Sequence, residues 1–248
     1  MFDAKKEIEG IVNWIREWFD ANGKTANAVI GLSGGKDSSI VATILVKALG
    51  RDRVVGVMMP NGEQSDINDS VAIAKFLDIK TYTVNIGDPY NAFLDELQKS
   101  VSDVELNAES KINLAPRLRM STLYAIAQSL PGGGRVCNTC NASEDYVGYS
   151  TKYGDAAGDF SPCSYYTVEE MLQLGDELGV PGELVHKTPS DGLSGKSDED
   201  KLGFTYAVLD KYIKTGVCVD EKTKERIDRL HAMNLHKLQV IPAYKRGE

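Results

Sequence analysis

The chain has no apolar stretch of about eighteen residues, the length that a membrane-spanning helix requires. Its first ten residues, MFDAKKEIEG, have no apolar core, so a secretory signal is not expected there. Cysteine is scarce. Four in 248 residues are too few for a disulfide scaffold, and a cytoplasmic chain with reduced thiols is expected. Positive charge is in deficit: 28 Lys and Arg face 36 Asp and Glu, for a net charge of −8 and a pI of about 5.1. Phosphate backbones need clustered Lys and Arg, so a broad nucleic-acid surface is not expected. The three histidines never fall in H-x-x-x-H spacing, which removes the usual helical zinc pair. Internal repeats and low-complexity tracts are also missing. What remains is an ordinary globular composition, 42% hydrophobic and 26% charged, at a length that suits a single domain over 1–248.

The apolar pattern implies an α/β fold. Ile8, Ile11, Val12, Ile15 and Phe19 recur at helical spacing, and Asn22-Gly23 ends that helix. Ala28–Leu32 is a short run of the kind that forms a buried parallel strand. A helix over about 37–49, a strand at Arg53–Met59, a helix over about 66–77 and a strand at Thr81–Ile86 follow. This alternation predicts a doubly wound, mostly parallel sheet flanked by helices, with right-handed crossovers. Further on, Tyr90–Val101 predicts a helix with Phe93, Leu94 and Leu97 on one face. Pro116–Leu130 predicts another, with Pro116 at its first position. A strand at Arg135–Cys137, a loop-rich region over 139–162 and helices over about 168–178, 204–214 and 221–234 complete the chain. The polar stretch 187–203, KTPSDGLSGKSDEDKLG, is rich in Gly and Ser and predicts a mobile lid loop.

The turn after the first strand carries the strongest chemical signal. Ser33-Gly34-Gly35-Lys36-Asp37-Ser38-Ser39 joins that strand to its helix. Ligands of such sheets bind at the carboxyl ends of the strands. Adjacent glycines let backbone amides converge on one anion at a helix N-terminus, and the Ser hydroxyls add donors. Asp37 would repel a phosphate on its own; it makes sense if it holds Mg²⁺, which in turn binds phosphate. A Walker loop is excluded, because position 30 is Ile and Asp37 follows Lys36.

SGGKDSS resembles the SGGxDS pyrophosphate loop of the N-type ATP pyrophosphatases, enzymes that cleave ATP between its α and β phosphates and activate a substrate as an adenylate. The resemblance implies their adenine nucleotide α-hydrolase-like fold, here with extra C-terminal helices. The second half narrows the group. Asn138-Thr139, Ser143-Glu144, the run Gly148-Tyr149-Ser150-Thr151-Lys152-Tyr153-Gly154-Asp155, then Asp159 and Pro162, resemble the string of the ammonia-dependent NAD synthetases. Lys187-Thr188-Pro189-Ser190, Asp198-Glu199, Leu202-Gly203, Tyr206, Asp210, Tyr212 and His236-Lys237 extend the likeness over nearly the whole chain.

By position, the resemblance implies that Gly31, Leu32, Ser33, Gly34, Gly35, Lys36, Ser38, Ser39, Thr139 and Ser190 contact ATP. Lys36 falls at the variable position of the loop and receives no catalytic role. Asp37 and Glu144 would share Mg²⁺. Arg117, Lys152, Asp159, His236 and Lys237 would contact deamido-NAD (nicotinic acid adenine dinucleotide), and Asp155 would stand near the ammonia site. The resemblance also implies a homodimer. Met58 and Val168 depart from it, since many members have Arg and Lys there, and Ser190 stands where Thr is common.

The chemistry follows. A nicotinate carboxylate is a poor electrophile. Its oxygen attacks the α-phosphate of ATP, pyrophosphate leaves, and ammonia displaces AMP from the acyl-adenylate. The protein needs to position reactants and neutralise charge, with Asp155 to hold or deprotonate ammonium. In 248 residues no room is expected for a glutamine amidase, so free ammonia is the expected nitrogen source. A tRNA-modifying adenylating enzyme is the alternative within the group, and it would want a basic surface. A non-catalytic nucleotide sensor would not need the TKYGD run. Cys137 and Cys140, a lone C-x-x-C, read as packing thiols, as do Cys163 and Cys218. Trp14 and Trp18 of the first helix read as core or dimer packing residues rather than substrate-stacking ones. Arg117 and Arg119 point roughly 200° apart on a helix, and Arg117 is the better ligand candidate.

Overall fold

A computed structural model of the protein describes residues 2–64, 67–187 and 198–246. The short apolar runs form the sheet. Strands β1 (Asn27–Gly31), β2 (Val54–Met58), β3 (Lys80–Thr83) and β4 (Gly134–Val136) are parallel, in the order β3-β2-β1-β4. Val29 pairs with Val55 on one side and Val136 on the other. The order reverses at β1, so the crevice between the ends of β1 and β4 is the topological switch point.

Alternation along the strands loads both faces. Ala28 and Ile30 join a core with Ile8, Ile15 and Phe19 of α1 (Ala4–Asn22) and Ile40, Ile44 and Leu45 of α2 (Lys36–Leu49). Helices α3 (Ile67–Leu77) and α7 (Val168–Glu177) complete that face, with the short α8 (Gly182–Val185) beside them. On the other face Val29, Val55, Val57 and Val136 meet Met120, Leu123 and Ala127 of α5 (Ala108–Ser129). A third, smaller core lies off the sheet. It joins α6 (Ala142–Val147), α9 (Asp198–Leu202), α10 (Tyr206–Thr215) and α11 (Glu221–Leu238) through Val147, Leu202, Leu209 and Ile227. Trp18 stacks on Phe160 with ring centroids 4.7 Å apart, so it is a packing residue as expected, whereas Trp14 is exposed.

Three expectations need correction. Pro116 lies in the middle of α5, not at its start. Asn107 caps the helix upstream, its Oδ1 accepting the Ser110 amide at 2.8 Å. The donor lost at Pro116 is tolerated on a solvent-facing stretch near Ile112. Helix α4 (Gly87–Ser100) buries only Gly87 among its residues, and Phe93 is 48% exposed, because α4 packs beside α5 at the margin rather than on the sheet. The stretch 139–162, expected to be loop, contains α6. That helix is too short for a periodic signal; Asn141 caps its start and Gly148, at φ 65°, ends it. The expected lid at 187–203 falls mostly on 188–197, outside the described residues. Among the described residues no helix is long and apolar enough to cross a membrane.

Candidate active site

The backbone leaves β1 at Gly31, and the Leu32 amide donates to the Val57 carbonyl at 2.9 Å, holding the turn against β2. Gly34 adopts φ 74°, where side chains are strained, and a Cβ there would stand 2.5 Å from Asp69 Cβ and from the Ser70 amide. The Ser33 and Ser38 hydroxyls bond each other at 2.9 Å, and Ser33 Oγ accepts the Gly35 amide at 3.2 Å. Expected as phosphate donors, these hydroxyls here tie the turn to itself. Ser39 is fully buried behind the turn, and its hydroxyl has no hydrogen-bond partner among the described residues.

Asp37 opens α2, and Glu144 lies in α6, which follows β4. Since β1 and β4 are neighbours, the two carboxylates converge from adjacent strand ends. Asn141 links them: its Oδ1 accepts the Glu144 amide at 3.0 Å, and its Nδ2 donates to Asp37 Oδ1 at 3.2 Å. Lys36 Nζ reaches Asp37 Oδ2 at 2.6 Å. Burial, then the Asp37 charge, pushes the Glu144 carboxyl up to about 8. Asp198 adds a third charge from α9, with one oxygen accepting the Tyr149 hydroxyl at 2.9 Å. The Tyr206 hydroxyl lies in the field of Glu144, Asp198 and Asp37, buried and without a hydrogen-bond partner among the described residues.

The donor set fits Mg²⁺. Among the described residues no three His, Cys, Asp or Glu side chains are grouped to enclose an ion. Mg²⁺ ordinarily takes one or two carboxylates together with substrate phosphates and water, not a protein cage. The orphan Tyr206 hydroxyl beside the pair is a group that a coordinated water could satisfy.

The TKYGD run forms a second centre, held at its far end by Asn138. Its Nδ2 donates to the Asp155 carbonyl at 2.8 Å, and its Oδ1 accepts the Cys140 amide at 2.8 Å and the Ser161 hydroxyl at 2.9 Å. Asp155 Oδ1 accepts the Thr151 amide at 2.9 Å; crowding by protein pushes its carboxyl up. Helix α11 grips this loop. Lys237 Nζ donates to the Gly148 and Ser150 carbonyls at 2.7 and 2.9 Å, and Lys152 Nζ to the His236 carbonyl at 2.9 Å. Arg117 Nε donates to the Lys152 carbonyl at 3.3 Å. Asp159 accepts the Val136 amide at 2.7 Å and the Tyr124 hydroxyl at 3.2 Å.

The structure thus brings Arg117, Lys152, His236, Lys237 and Asp155 together, but as supports of one loop. Asp159 braces β4 close by, and Thr139 is half-buried between Asn138 and Cys140. Ser190 is outside the described residues. Sequence reasoning gave no role to Asn138 or Asn141, because an Asn carries no chemical signature until its partners are known. It also passed over Arg119, whose Nε donates to the Met59 carbonyl at 3.1 Å at the carboxyl end of β2.

Comparison with known proteins agrees with this geometry. Residues 7–246 match the family model described as NAD synthase. The NH(3)-dependent NAD(+) synthetase of Alkaliphilus metalliredigens is 39% identical over 243 residues, covering 95% of this chain and 96% of that one. The protein of the same name from Pyrococcus furiosus is 36% identical, with 94% and 93% covered. The solved structure of an NMN synthetase from Francisella tularensis superposes with a TM-score of 0.88 at 35% identity, over 98% of this chain and 99% of that one. A model matched over nearly the full length, by a sequence whose glycine turn and acidic pair meet at the switch point, shows that the chain belongs to the NAD synthase family.

Proposed function

We propose that this protein is a C–N ligase that amidates deamido-NAD to NAD with ammonia and ATP, through an acyl-adenylate, releasing AMP and pyrophosphate. The convergence of Asp37 and Glu144 beside the glycine turn is the observation that carries the reading. Asp37 and Glu144 would hold Mg²⁺, which supplies positive charge where pyrophosphate leaves. The glycine turn and the N-terminus of α2 would offer amides to the phosphates, those of Ser33 and Gly35 by leaving the Ser38 and Ser33 hydroxyls they now bond. The substrate carboxylate is itself the nucleophile, so the chain needs to align it and exclude water, not activate a side chain. Asp155, on the loop gripped by Lys237, would take a proton from ammonium.

The names of the relatives favour ammonia as the nitrogen source and NAD as the product. The Francisella name favours a second reading, in which the acid amidated is nicotinate mononucleotide. Both are tested by single turnovers with α-labelled ATP. AMP should form only when an acid acceptor is present, and amide only when ammonia is added. A higher kcat/KM for the mononucleotide than for deamido-NAD would select the second reading. AMP release that needs neither acid would defeat both.

We also assign a homodimer. Met233, Leu238, Val240, Ile241 and Tyr244 are exposed apolar residues of α11 and the segment after it, and a second copy would cover them. A sedimentation mass of one chain at micromolar concentration would contradict this. We place the enzyme in the cytoplasm, in keeping with its buried free thiols.

A further inference from the structure

Lys36 stands where the sequence pattern allows any residue, yet its surroundings are specific. Its side chain is 5% exposed and its Nζ lies 2.6 Å from Asp37 Oδ2. The position is unfavourable for a cation on two counts. Burial strips the ammonium of water, and the N-terminus of α2 carries the positive end of the helix dipole. The charges of Asp37, Glu144 and Asp198 compensate. A phosphate ligand would be expected to hold its ammonium toward the open crevice, whereas this one is turned into the carboxylates. With Asn141 on Oδ1 and Lys36 on Oδ2, both oxygens of Asp37 have a donor from within the chain.

We propose that Lys36 is a tethered counter-cation that occupies Asp37 in the metal-free protein and competes there with the divalent ion. The inference rests on the reading of Asp37 and Glu144 as a metal pair. Metal alone must displace an ammonium from a buried carboxylate. A nucleotide changes that balance, because its phosphates give the displaced ammonium a new partner. Metal alone therefore binds weakly, and more tightly together with ATP. Lys36 is a positioning residue in this scheme, acting on the reaction through Asp37.

The test is binding of Mn²⁺ to the full chain without nucleotide, followed by the resonance of the free ion. Lys36→Met should bind Mn²⁺ about tenfold more tightly than the unsubstituted protein, since one positive charge has left a poorly solvated site. Lys36→Arg, which keeps the charge, should stay near the unsubstituted protein, and Asp37→Asn should lose binding. If Lys36→Met binds no more tightly while Asp37→Asn still loses the ion, this inference falls and the metal pair stands. Equal tightening in Lys36→Arg also overturns it, since charge would not be the cause. If neither Asp37→Asn nor Glu144→Gln weakens Mn²⁺ binding by the nucleotide-free protein, the metal pair falls and takes the inference with it. Should Lys36→Met fail to fold, the unsubstituted protein answers. Acylation of Lys36, read by mass spectrometry, should rise several-fold on adding saturating Mn²⁺, and an unchanged rate would overturn the proposal.

Discussion

The turn after β1 and the loop at 148–155 both carry candidate site residues, yet different forces hold them. The turn sits on α2, whose Ile40, Val41, Ile44 and Leu45 are fully buried against the sheet. Its position follows from apolar packing that forms whether or not a ligand is present. The loop has a lesser footing: only Tyr149 packs against the third core, and the rest is held by polar bonds. Lys237 and Lys152 clasp it to α11, Thr151 Oγ1 donates to Asn113 Oδ1 at 2.6 Å, and Asn138 holds its far end. Each of these bonds contributes only about 1 kcal/mol net, or up to ~3 where a charge takes part. A region built this way is locally precise but opens more readily than a packed core.

Gly34→Ala should have the largest effect. The new Cβ would press on Asp69 and Ser70 at a φ that side chains rarely adopt, so the turn must shift. A displacement of about 1 Å in a site costs on the order of 100-fold, and turnover should fall by that much, with a loss of about 1–3 kcal/mol of stability from the strained φ. A mutant with near-normal turnover would mean that the turn is not the rigid member of the pair.

Ile44→Ala should act in the opposite sense. Removing a fully buried Ile side chain beneath the turn costs about 2–5 kcal/mol of stability. Turnover per folded molecule should be almost unchanged at a temperature where the protein stays folded. Denaturant titration and active-fraction measurements check both halves. A large loss of kcat in the folded fraction would show that the core is not simply a platform.

Lys237→Met tests the loop. It keeps the aliphatic stem and removes the donor to the Gly148 and Ser150 carbonyls. Amide exchange over 148–155 should quicken, and turnover should drop about tenfold, the loss of one kcal/mol-scale contact in the transition state. The β1 turn should show no change in exchange. Uniform quickening across both regions would erase the distinction between them.

The same contrast decides how much could be read from the chain. The sheet, its parallel sense and the turn were legible because apolar runs and glycines act locally. The pairing of Asp37 with Glu144 was also within reach, since both follow strands that a doubly wound sheet makes neighbours. The loop was legible only through resemblance. Lys152 and Lys237 look like ligands in one dimension, and nothing in their sequence says that both ammoniums go to backbone carbonyls. Pro116 misled for a related reason: a helix starts where a cap satisfies its amides, and Asn107 gave no signal as strong as the proline. Lys36 was counted among the ATP contacts with no catalytic role, because a variable position in a pattern says nothing about the carboxylate that its ammonium faces.

The smallest effect, with no change in activity required, concerns the cysteines. Cys137, Cys140 and Cys163 are buried, and burial pushes each thiol up, so little thiolate is available at pH 8. Cys218 is half-buried at the surface. A disulfide reagent should therefore titrate one thiol quickly in the native protein and four after unfolding. The order among the slow three sharpens the comparison between regions. Cys163 belongs to the packed core with α1 and α2, and Cys137 continues β4 through a bridge to Phe160. Cys140 instead touches the loop, its Sγ lying 3.4 Å from the Asp155 carbonyl. If the loop opens more often than the core, alkylation followed by mass spectrometry should rank Cys218 first, Cys140 next and Cys137 and Cys163 last, and Lys237→Met should speed Cys140 alone. Should Cys140 react no faster than Cys163 in either protein, the polar loop is as firmly closed as the core, and the difference drawn between the two regions does not hold.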